Sequence, residues 1–404
     1  MINDALRPAL PAVRLKVLFV INGLDIGGAE QQLTELLLRI DRRRFEPVVC
    51  CLGRRGPLAD VLERAAVHVK VIGLRRLNDS RLGDAIDILR RVWRFVRFVF
   101  AERPHVVVGL LFWAYIFTTF TASAARVPVI LSTRLSLGLF KVDRPGLRLI
   151  ERVANRLTDL VIANGEAVRV DAIRQERLPP EKIIVIRNGI DARRFDLPFD
   201  RRFRRELGVR TDGPVVAVIA NMLASKGHGV FLEAWKSVMS RHPKAAALLV
   251  GDGPLRAELE ARAAADGAAF SIIFLGTRRD VPQVLSAVDI VAHPSLEEGS
   301  ANAILEAMAA AKPVIATAVG GNVEAVVHER TGLLVPPSDA AALAKAICWL
   351  IENPDNACAL GRAGRQRVAD RYDMDAMVRA YEGVFLDQWR QVAQSRAHVA
   401  SHQP

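Results

Sequence analysis

Cysteine is scarce, with four residues in 404. Cys50 and Cys51 are neighbours whose side chains would leave a strand on opposite faces, and Cys348 and Cys358 stand ten apart with no CxxC spacing and no paired histidines. Neither a disulfide framework nor a zinc site fits that pattern, which predicts a cytosolic chain with no bound metal. No secretory leader is visible: no basic start precedes a continuous apolar stretch, and residues 6–11 are broken by Pro8 and Pro11. Residues 106–125 do run without a charge and approach the length of a membrane span. Gly109, Thr118, Thr119, Thr121 and Ser123 interrupt that run, and its β-branched opening predicts a buried strand, a turn and a buried helix instead. Two nucleotide signatures are missing as well. No GxGxxG follows the first strand and no GxxxxGK[ST] occurs, which argues against a dehydrogenase and a P-loop hydrolase.

What is present is a globular composition: 51% hydrophobic and 25% charged residues, with no internal repeat or low-complexity tract. A chain of this length exceeds what one hydrophobic core supports, so two domains of about 150 to 200 residues are expected. The formal net charge of +12 is lopsided, since residues 1–190 hold 31 Lys and Arg against 19 Asp and Glu, while residues 191–404 hold 25 of each. A one-sided basic field attracts a polyanion such as an anionic membrane surface, a nucleic acid or a phosphorylated substrate, whereas scattered arginines more often are solvated helix faces that keep a protein in solution. Around residues 85–100, Arg90, Arg91, Arg94 and Arg97 fall at helical spacing beside Trp93, Phe95 and Phe98, as on a membrane-surface helix. The favoured reading of that segment is an ordinary amphipathic helix packing Ile88, Val92, Phe95 and Val99 on a sheet. Nucleic acid is not expected as a partner, because no binding module or exposed stacking platform is visible.

Along the chain, apolar runs alternate with helical periodicity. Strands are predicted at 15–22, 47–52, 67–72, 105–110, 128–133 and 159–163, with helices at 30–40, 57–66, 84–100, 113–125 and 146–156 between them. A second series places strands at 214–220, 245–250, 271–275, 289–293 and 313–316, and helices at 228–240, 254–265, 280–286, 301–311, 338–352, 355–370 and 374–395. Such alternation implies two doubly wound parallel sheets, whose ligands bind at the carboxyl ends of the strands and, here, in a cleft between domains. The expected domains are residues 1–189 joined by the terminal helix 374–404, and residues 190–373.

The chemistry concentrates in the second half. Glu298 and Glu306 lie eight residues apart, the first in the loop after strand 289–293 and the second about two turns into a helix. Gly299 lets backbone approach a ligand, and a helix starting near Ser300, with Ala301 and Asn302 in its first turn, offers free N–H groups as an anion cradle. Glu298 can accept hydrogen bonds from sugar hydroxyls and Glu306 from a second polyol such as ribose, while the spacing by itself fits a surface Glu and a helix-face Glu with no shared ligand as well. Strand 214–220 ends at Asn221 and leads to Lys226, a cation that could neutralise a diphosphate leaving group, although a lone Lys is usually solvated. The turn Gly251, Asp252, Gly253 and the strand end at Leu275 offer backbone groups to a flat base.

Taken together these stretches resemble the retaining glycosyltransferases of family 4. The resemblance covers nearly the whole chain and rests on Gly27-Gly28-Ala29-Glu30, Asn188-Gly-Ile-Asp191 with Phe195, Lys226-Gly227, Gly251-Asp-Gly-Pro254, the E-x7-E pair Glu298 and Glu306, and Gly320-Gly321-Asn322-Val-Glu324. It implies the α/β GT-B fold, two Rossmann-like domains facing a central cleft, with a last helix from about Met374 that crosses back onto the first. It also implies that Lys226 holds the donor diphosphate, Glu298 contacts the donor sugar, Glu306 contacts the ribose, and Gly27 and Gly28 sit against donor phosphate or acceptor. Two departures stand out. Asn221 occupies a place where members commonly carry Arg, and the region after the fifth strand reads Ser132-Thr-Arg-Leu-Ser136 where many carry His, making Arg134 the candidate substitute. Asp143 and Arg144 follow in a loop that could border the acceptor or simply pack.

The expected activity is metal-independent transfer of a sugar from a nucleotide sugar, with no cofactor beyond that donor. The expected acceptor is lipid-linked or a growing polysaccharide, met in the cytoplasm or on the inner face of the membrane. A nucleotide-sugar epimerase of the same fold and a non-catalytic sugar-nucleotide or membrane-binding component are the rival readings.

Overall fold

The structure, a computed structural model, describes residues 14–73, 83–138, 141–209 and 212–400, and the side chains of 83–89, 91 and 396–400 lie outside that set. The expected contributions of Ile88 and Arg91 therefore fall outside the described residues. The chain forms two compact units. One runs to Asn164 and takes in Arg169–Ile186 and the chain from Met377 on, and the other comprises Gly165–Val168 and Arg187–Ala376.

The first unit is built on seven strands: β1 (Leu15–Gly23), β2 (Phe45–Arg54), β3 (His68–Val71), β4 (Val106–Gly109), β5 (Val129–Arg134), β6 (Leu160–Ala163) and β7 (Ile183–Val185). They pair in parallel in the order β3-β2-β1-β4-β5-β6-β7. The second unit has six: β8 (Val215–Ile219), β9 (Ala246–Val250), β10 (Ile272–Gly276), β11 (Ile290–His293), β12 (Val314–Thr317) and β13 (Leu333–Val335). These are also parallel, ordered β10-β9-β8-β11-β12-β13. In both sheets strand order reverses once, between β1 and β4 and between β8 and β11. A crevice opens at such a switch point beyond the carboxyl ends of the strands.

Helices cover both faces of each sheet, which is why the strands read as unbroken apolar runs. Along β8, Val216 and Val218 enter one core with Phe231, Trp235 and Ile347, while Val215 and Ala217 enter the other with Ile304, Leu305 and Met308. The charge-free run at 106–125 resolves as β4, a turn and the helix Phe112–Ala124, with Ala114, Tyr115 and Ala122 buried. No helix among the described residues is long and apolar enough to cross a membrane. Helix Gly83–Glu102 buries Phe95 and Val99 and exposes Trp93, with the Arg97 guanidinium 4.6 Å from the Trp93 ring, so its described part packs as an ordinary amphipathic helix.

The terminal helix Met374–Ala400 is tied to the first unit by aromatic packing. Phe385 is fully buried, its ring 5.9 Å from both Phe19 on β1 and Phe45 on β2, and Glu382 accepts a hydrogen bond from the backbone of Asp41 at 2.7 Å. Phe385→Ala is expected to cost about 3–5 kcal/mol, because the two facing rings belong to different strands and cannot both collapse into the void. Denaturant titration of both proteins measures this, and an unchanged midpoint would mean that the helix docks without Phe385.

Candidate functional site

The best-formed cluster of functional side chains lies within the second unit, at the switch point between β8 and β11. β11 ends on His293 and continues into a loop that carries Ser295 and Glu298, and β8 leads through Asn221 to Lys226. The Lys226 ammonium lies 2.6 Å from Glu298 Oε2. That same oxygen is 3.1 Å from His293 Nε2 and accepts from the Ser295 hydroxyl at 3.4 Å. Three donors thus converge on Oε2, while among the described residues Oε1 makes no hydrogen bond. His293 and Ser295 are buried and Lys226 is partly open to solvent. Burial pushes the Glu298 carboxyl up, but the His293 hydrogen bond and the Lys226 ammonium outweigh it and hold the group at about 2. The loop therefore presents an ionised carboxylate at any ordinary pH.

Two glycines lock this arrangement. Gly227 has φ +68°, and a Cβ there would stand 1.9 Å from the Pro294 carbonyl oxygen, so only glycine lets the Lys226 turn press against the β11 loop. The Leu296 amide, donating to the Ser225 carbonyl at 2.7 Å, fastens the same contact. On the other side, a Cβ on Gly321 would stand 2.1 Å from the Gly299 oxygen, and the Gly321 amide donates to the Glu298 carbonyl at 3.0 Å. Gly321 thus backs the carboxylate loop directly.

The helix after the loop runs Asn302–Ala309, with Ala301 as its N-cap and no side-chain hydrogen bond closing that end. Ile304, Leu305, Ala307 and Met308 bury its apolar stripe. Asn188 braces its start, donating to Asn302 Oδ1 at 2.7 Å and to the Ser300 hydroxyl at 3.4 Å, which gives the Asn188 motif a physical role. Glu306 is half-buried on this helix. Burial raises its carboxyl to about 7, opposed only in part by the Arg194 guanidinium. The two members of the E-x7-E pair are thus electrostatic opposites, one saturated with donors and the other lacking them.

The neighbouring strand ends are knitted by backbone. Gly251 donates to the Gly276 carbonyl at 2.8 Å, Met222 to the Asp252 carbonyl at 2.9 Å, and Asp252 Oδ1 accepts from the Gly253 amide at 2.7 Å. Leu275 is half-buried at the end of β10. Asn221 is exposed and brings no charge to this edge. Sequence reasoning assigned no role to His293 or Ser295, although His293 stands at the strand end that opens the loop. It also missed His228, the first residue of helix His228–Arg241, which is buried with neither ring nitrogen hydrogen-bonded; burial, then His293 and Lys226, lower it to about 4.

Gly27 and Gly28 belong to the first unit, where Gly27 is the N-cap of helix Gly28–Arg39 after β1, with the Glu30 carboxylate folded close over it. Arg134, the expected substitute at the edge of β5, requires a correction. It is only 5% exposed and spends all five N–H donors internally. Nε–H points at the Glu176 carboxylate (2.9 and 3.1 Å), Nη1 donates to the Ser132 hydroxyl and the Thr133 carbonyl, and Nη2 donates to Asn155 Oδ1 at 2.8 Å and Glu176 Oε2 at 2.9 Å. Its guanidinium also lies 3.8 Å from the Tyr115 ring centroid. Lys141 joins the cluster, bonding Glu151 at 2.7 Å and Glu176 at 3.0 Å. Arg134 is an internal anchor with no donor left for a ligand.

Similarity to known proteins identifies the family and the fold. The Glycosyltransferase Family 4 model matches residues 26–194, and the Glycosyl transferases group 1 model matches residues 213–353. The chain is 27% identical over 386 residues to 2-deoxystreptamine N-acetyl-D-glucosaminyltransferase of Streptomyces fradiae, covering 88% of this chain and 90% of that one. It is 28% identical over 332 residues to UDP-Gal:alpha-D-GlcNAc-diphosphoundecaprenol alpha-1,3-galactosyltransferase of Escherichia coli, covering 80% and 84%. The crystal structure of Anabaena Alr3699/HepE in complex with UDP and glucose superposes with a TM-score of 0.80 at 26% identity, over 92% of this chain and 99% of that one. With a parallel α/β sheet in each unit and both halves matched, the chain belongs to the family 4 glycosyltransferases and has their GT-B fold.

Proposed function

We propose that this glycosyltransferase moves a sugar from a nucleoside diphosphate donor, with uridine as the first base to test, and retains the anomeric configuration. The observation that carries the reading is the Lys226–Glu298 pair beside an uncapped helix end. Lys226 has further N–H donors with no partner among the described residues, and they and the N-terminus of helix Asn302–Ala309 would take the charge that develops on the departing diphosphate. Glu298 Oε1 would accept from donor-sugar hydroxyls and Glu306 from the ribose. Gly27 and Gly28 would lie against donor phosphate or acceptor, and the strand ends at Asn221, Gly251–Gly253 and Leu275 against the nucleoside. A carboxyl held at about 2 has no proton to give at neutral pH, so Glu298 positions the sugar and does not act as general acid. No protein nucleophile and no metal enter this scheme.

The relatives support the donor class, since the name of the Escherichia coli relative carries UDP-Gal and the Anabaena structure holds UDP and glucose. The acceptor in that relative's name is a diphosphoundecaprenol-linked sugar. We propose a lipid-linked or glycan acceptor here too, met by a chain that associates peripherally with an anionic membrane surface, in keeping with the basic excess of residues 1–190.

Two outcomes test the donor site. Lys226→Ala is expected to lower kcat/KM for a UDP-sugar by about 10²–10³, roughly 3–4 kcal/mol of transition-state stabilisation, with unchanged circular dichroism. Native turnover in the folded variant would overturn the assignment. For Glu306, the folded carboxyl sits near 7 against an ordinary 4.5, so the ionised form that accepts from both ribose hydroxyls prevails only above about pH 7. KM for the donor should therefore rise as pH falls below 7, and Glu306→Gln should flatten that profile. The same shift makes ionised Glu306 a folding penalty, so stability that is present below pH 4.5 is lost as pH rises through 7, and the Gln variant should melt higher than the native chain at pH 8. A pH-independent KM together with equal melting temperatures would remove Glu306 from the ribose.

A further inference from the structure

Helix Pro145–Leu157 lies the wrong way round for a protein in water. Its sequence, PGLRLIERVANRL, is sharply amphipathic, yet the face turned inward carries Glu151 and Asn155, with Ala154 the one buried apolar residue beside them. Glu151 and Asn155 are buried, and Arg148 and Arg152 are half-buried. Glu151 bonds the Tyr115 hydroxyl and Lys141, and Asn155 bonds Arg134 and Glu176, so this face sits on the ionic cluster described above. The apolar face looks outward. Leu149 is 62% exposed, and Ile150, Val153 and Leu157 are exposed with it, continued by Val142 in the preceding turn. A helix of a globular domain normally buries its apolar stripe and hydrates its charges. Here the contacts of Glu151 and Asn155 fix the opposite rotation, and a contiguous exposed aliphatic strip of this kind marks an interaction surface.

The charges beside the strip name the partner. The only acid within the helix is Glu151, which is buried; Arg156 is exposed, as is Arg144 just before the helix, while Arg148 and Arg152 at the edge of the strip are half-buried with Nε enclosed. Asp143 is the one exposed carboxylate in the adjoining turn. Aliphatic side chains along one helix, flanked by arginines with apolar stems, suit the boundary between acyl chains and anionic headgroups. A protein-binding hot spot would instead present aromatic anchors set in a pocket.

We propose that helix Pro145–Leu157 is the surface by which the chain docks on an anionic bilayer, Leu149, Ile150, Val153 and Leu157 entering the interface and the arginines meeting lipid phosphates. The inference specifies the face used for the membrane association proposed above and rests on that reading. It moves the contact away from helix Gly83–Glu102, where the sequence had suggested it.

Sedimentation with phosphatidylcholine vesicles, pure or with about one-third phosphatidylglycerol, tests it at low salt. The native chain should bind the anionic vesicles and not the neutral ones. Leu149→Glu with Val153→Glu should weaken that binding at least about tenfold, because two charges replace exposed aliphatics that would enter the interface. Leu149→Gln with Leu157→Gln serves if the first pair fails to fold, and hydrogen exchange on the native chain should slow across 145–157 when anionic vesicles are added. Trp93→Ala with Phe100→Ala, on the other helix, should leave binding intact. If the outward substitutions leave native affinity, this face is not the contact and membrane association stands by another route. If the native chain ignores anionic vesicles, both readings fall. Loss of a dimer, rather than of vesicle binding, in the Leu149 variants would make the strip a contact between copies and overturn the proposal.

Discussion

The candidate site depends on one enclosed carboxylate oxygen. Glu298 Oε2 gathers an ammonium, an imidazole nitrogen and a hydroxyl within 3.4 Å, and that convergence offsets the cost of placing a charge where water is scarce. Because the folded carboxyl lies at about 2 against an ordinary 4.5, the stabilisation is complete above pH 4.5 and fades as pH falls toward 2. The backbone exists to permit it. Were Gly227 or Gly321 any other residue, the Pro294 or Gly299 carbonyl would have to retreat, and the turn carrying Lys226 or the loop carrying Glu298 would move with it. Glu306 shows the reverse. With few donors around it the group is pushed up to about 7, and ligand hydroxyls are what would complete its shell.

How much of this could be read beforehand varied with the physics involved. Strands such as VVAVI and AALLV are covered on both faces, so they announce themselves as apolar runs, and their order follows from alternation with helices. Two strands escaped, β7 and β13, each three residues long and too short to show a period. Helix Glu166–Glu176 escaped for a different reason. Its inward positions are Val168, Ala172 and Glu176, so the third residue of its stripe is charged and the pattern dissolves.

That miss explains the error at Arg134. Its position at the end of β5 was legible, but its fate is decided by Glu176, which is 42 residues away on the unpredicted helix. Lys226 and Glu298 were singled out through the resemblance to family 4, since a lone Lys and two Glu eight residues apart carry little signal by themselves. Their 72-residue separation hides the ion pair between them, and nothing in the spacing foretells that His293 and Ser295 share the same oxygen. Sequence marks which side chains can do chemistry, whereas tertiary contacts decide which remain free to do it.

Both units bury charge, to opposite ends. In the second, Glu298 is saturated on one oxygen and, among the described residues, makes no hydrogen bond with the other, so the cluster remains incomplete. In the first, Arg134, Lys141, Glu151, Asn155 and Glu176 satisfy one another, Glu176 being held at about 2 chiefly by Arg134 against the push of burial. A closed network of that kind contributes little net stability compared with apolar packing of the same volume. What it does contribute is orientation. A helix with one apolar and one polar face has two ways to dock, and an apolar floor would have drawn Leu149 and Val153 inward. By setting ions beneath Glu151 and Asn155, beside the small apolar contact of Ala154 with Tyr115 and Ile116, the fold makes this face the better match and leaves Leu149 and Val153 outside.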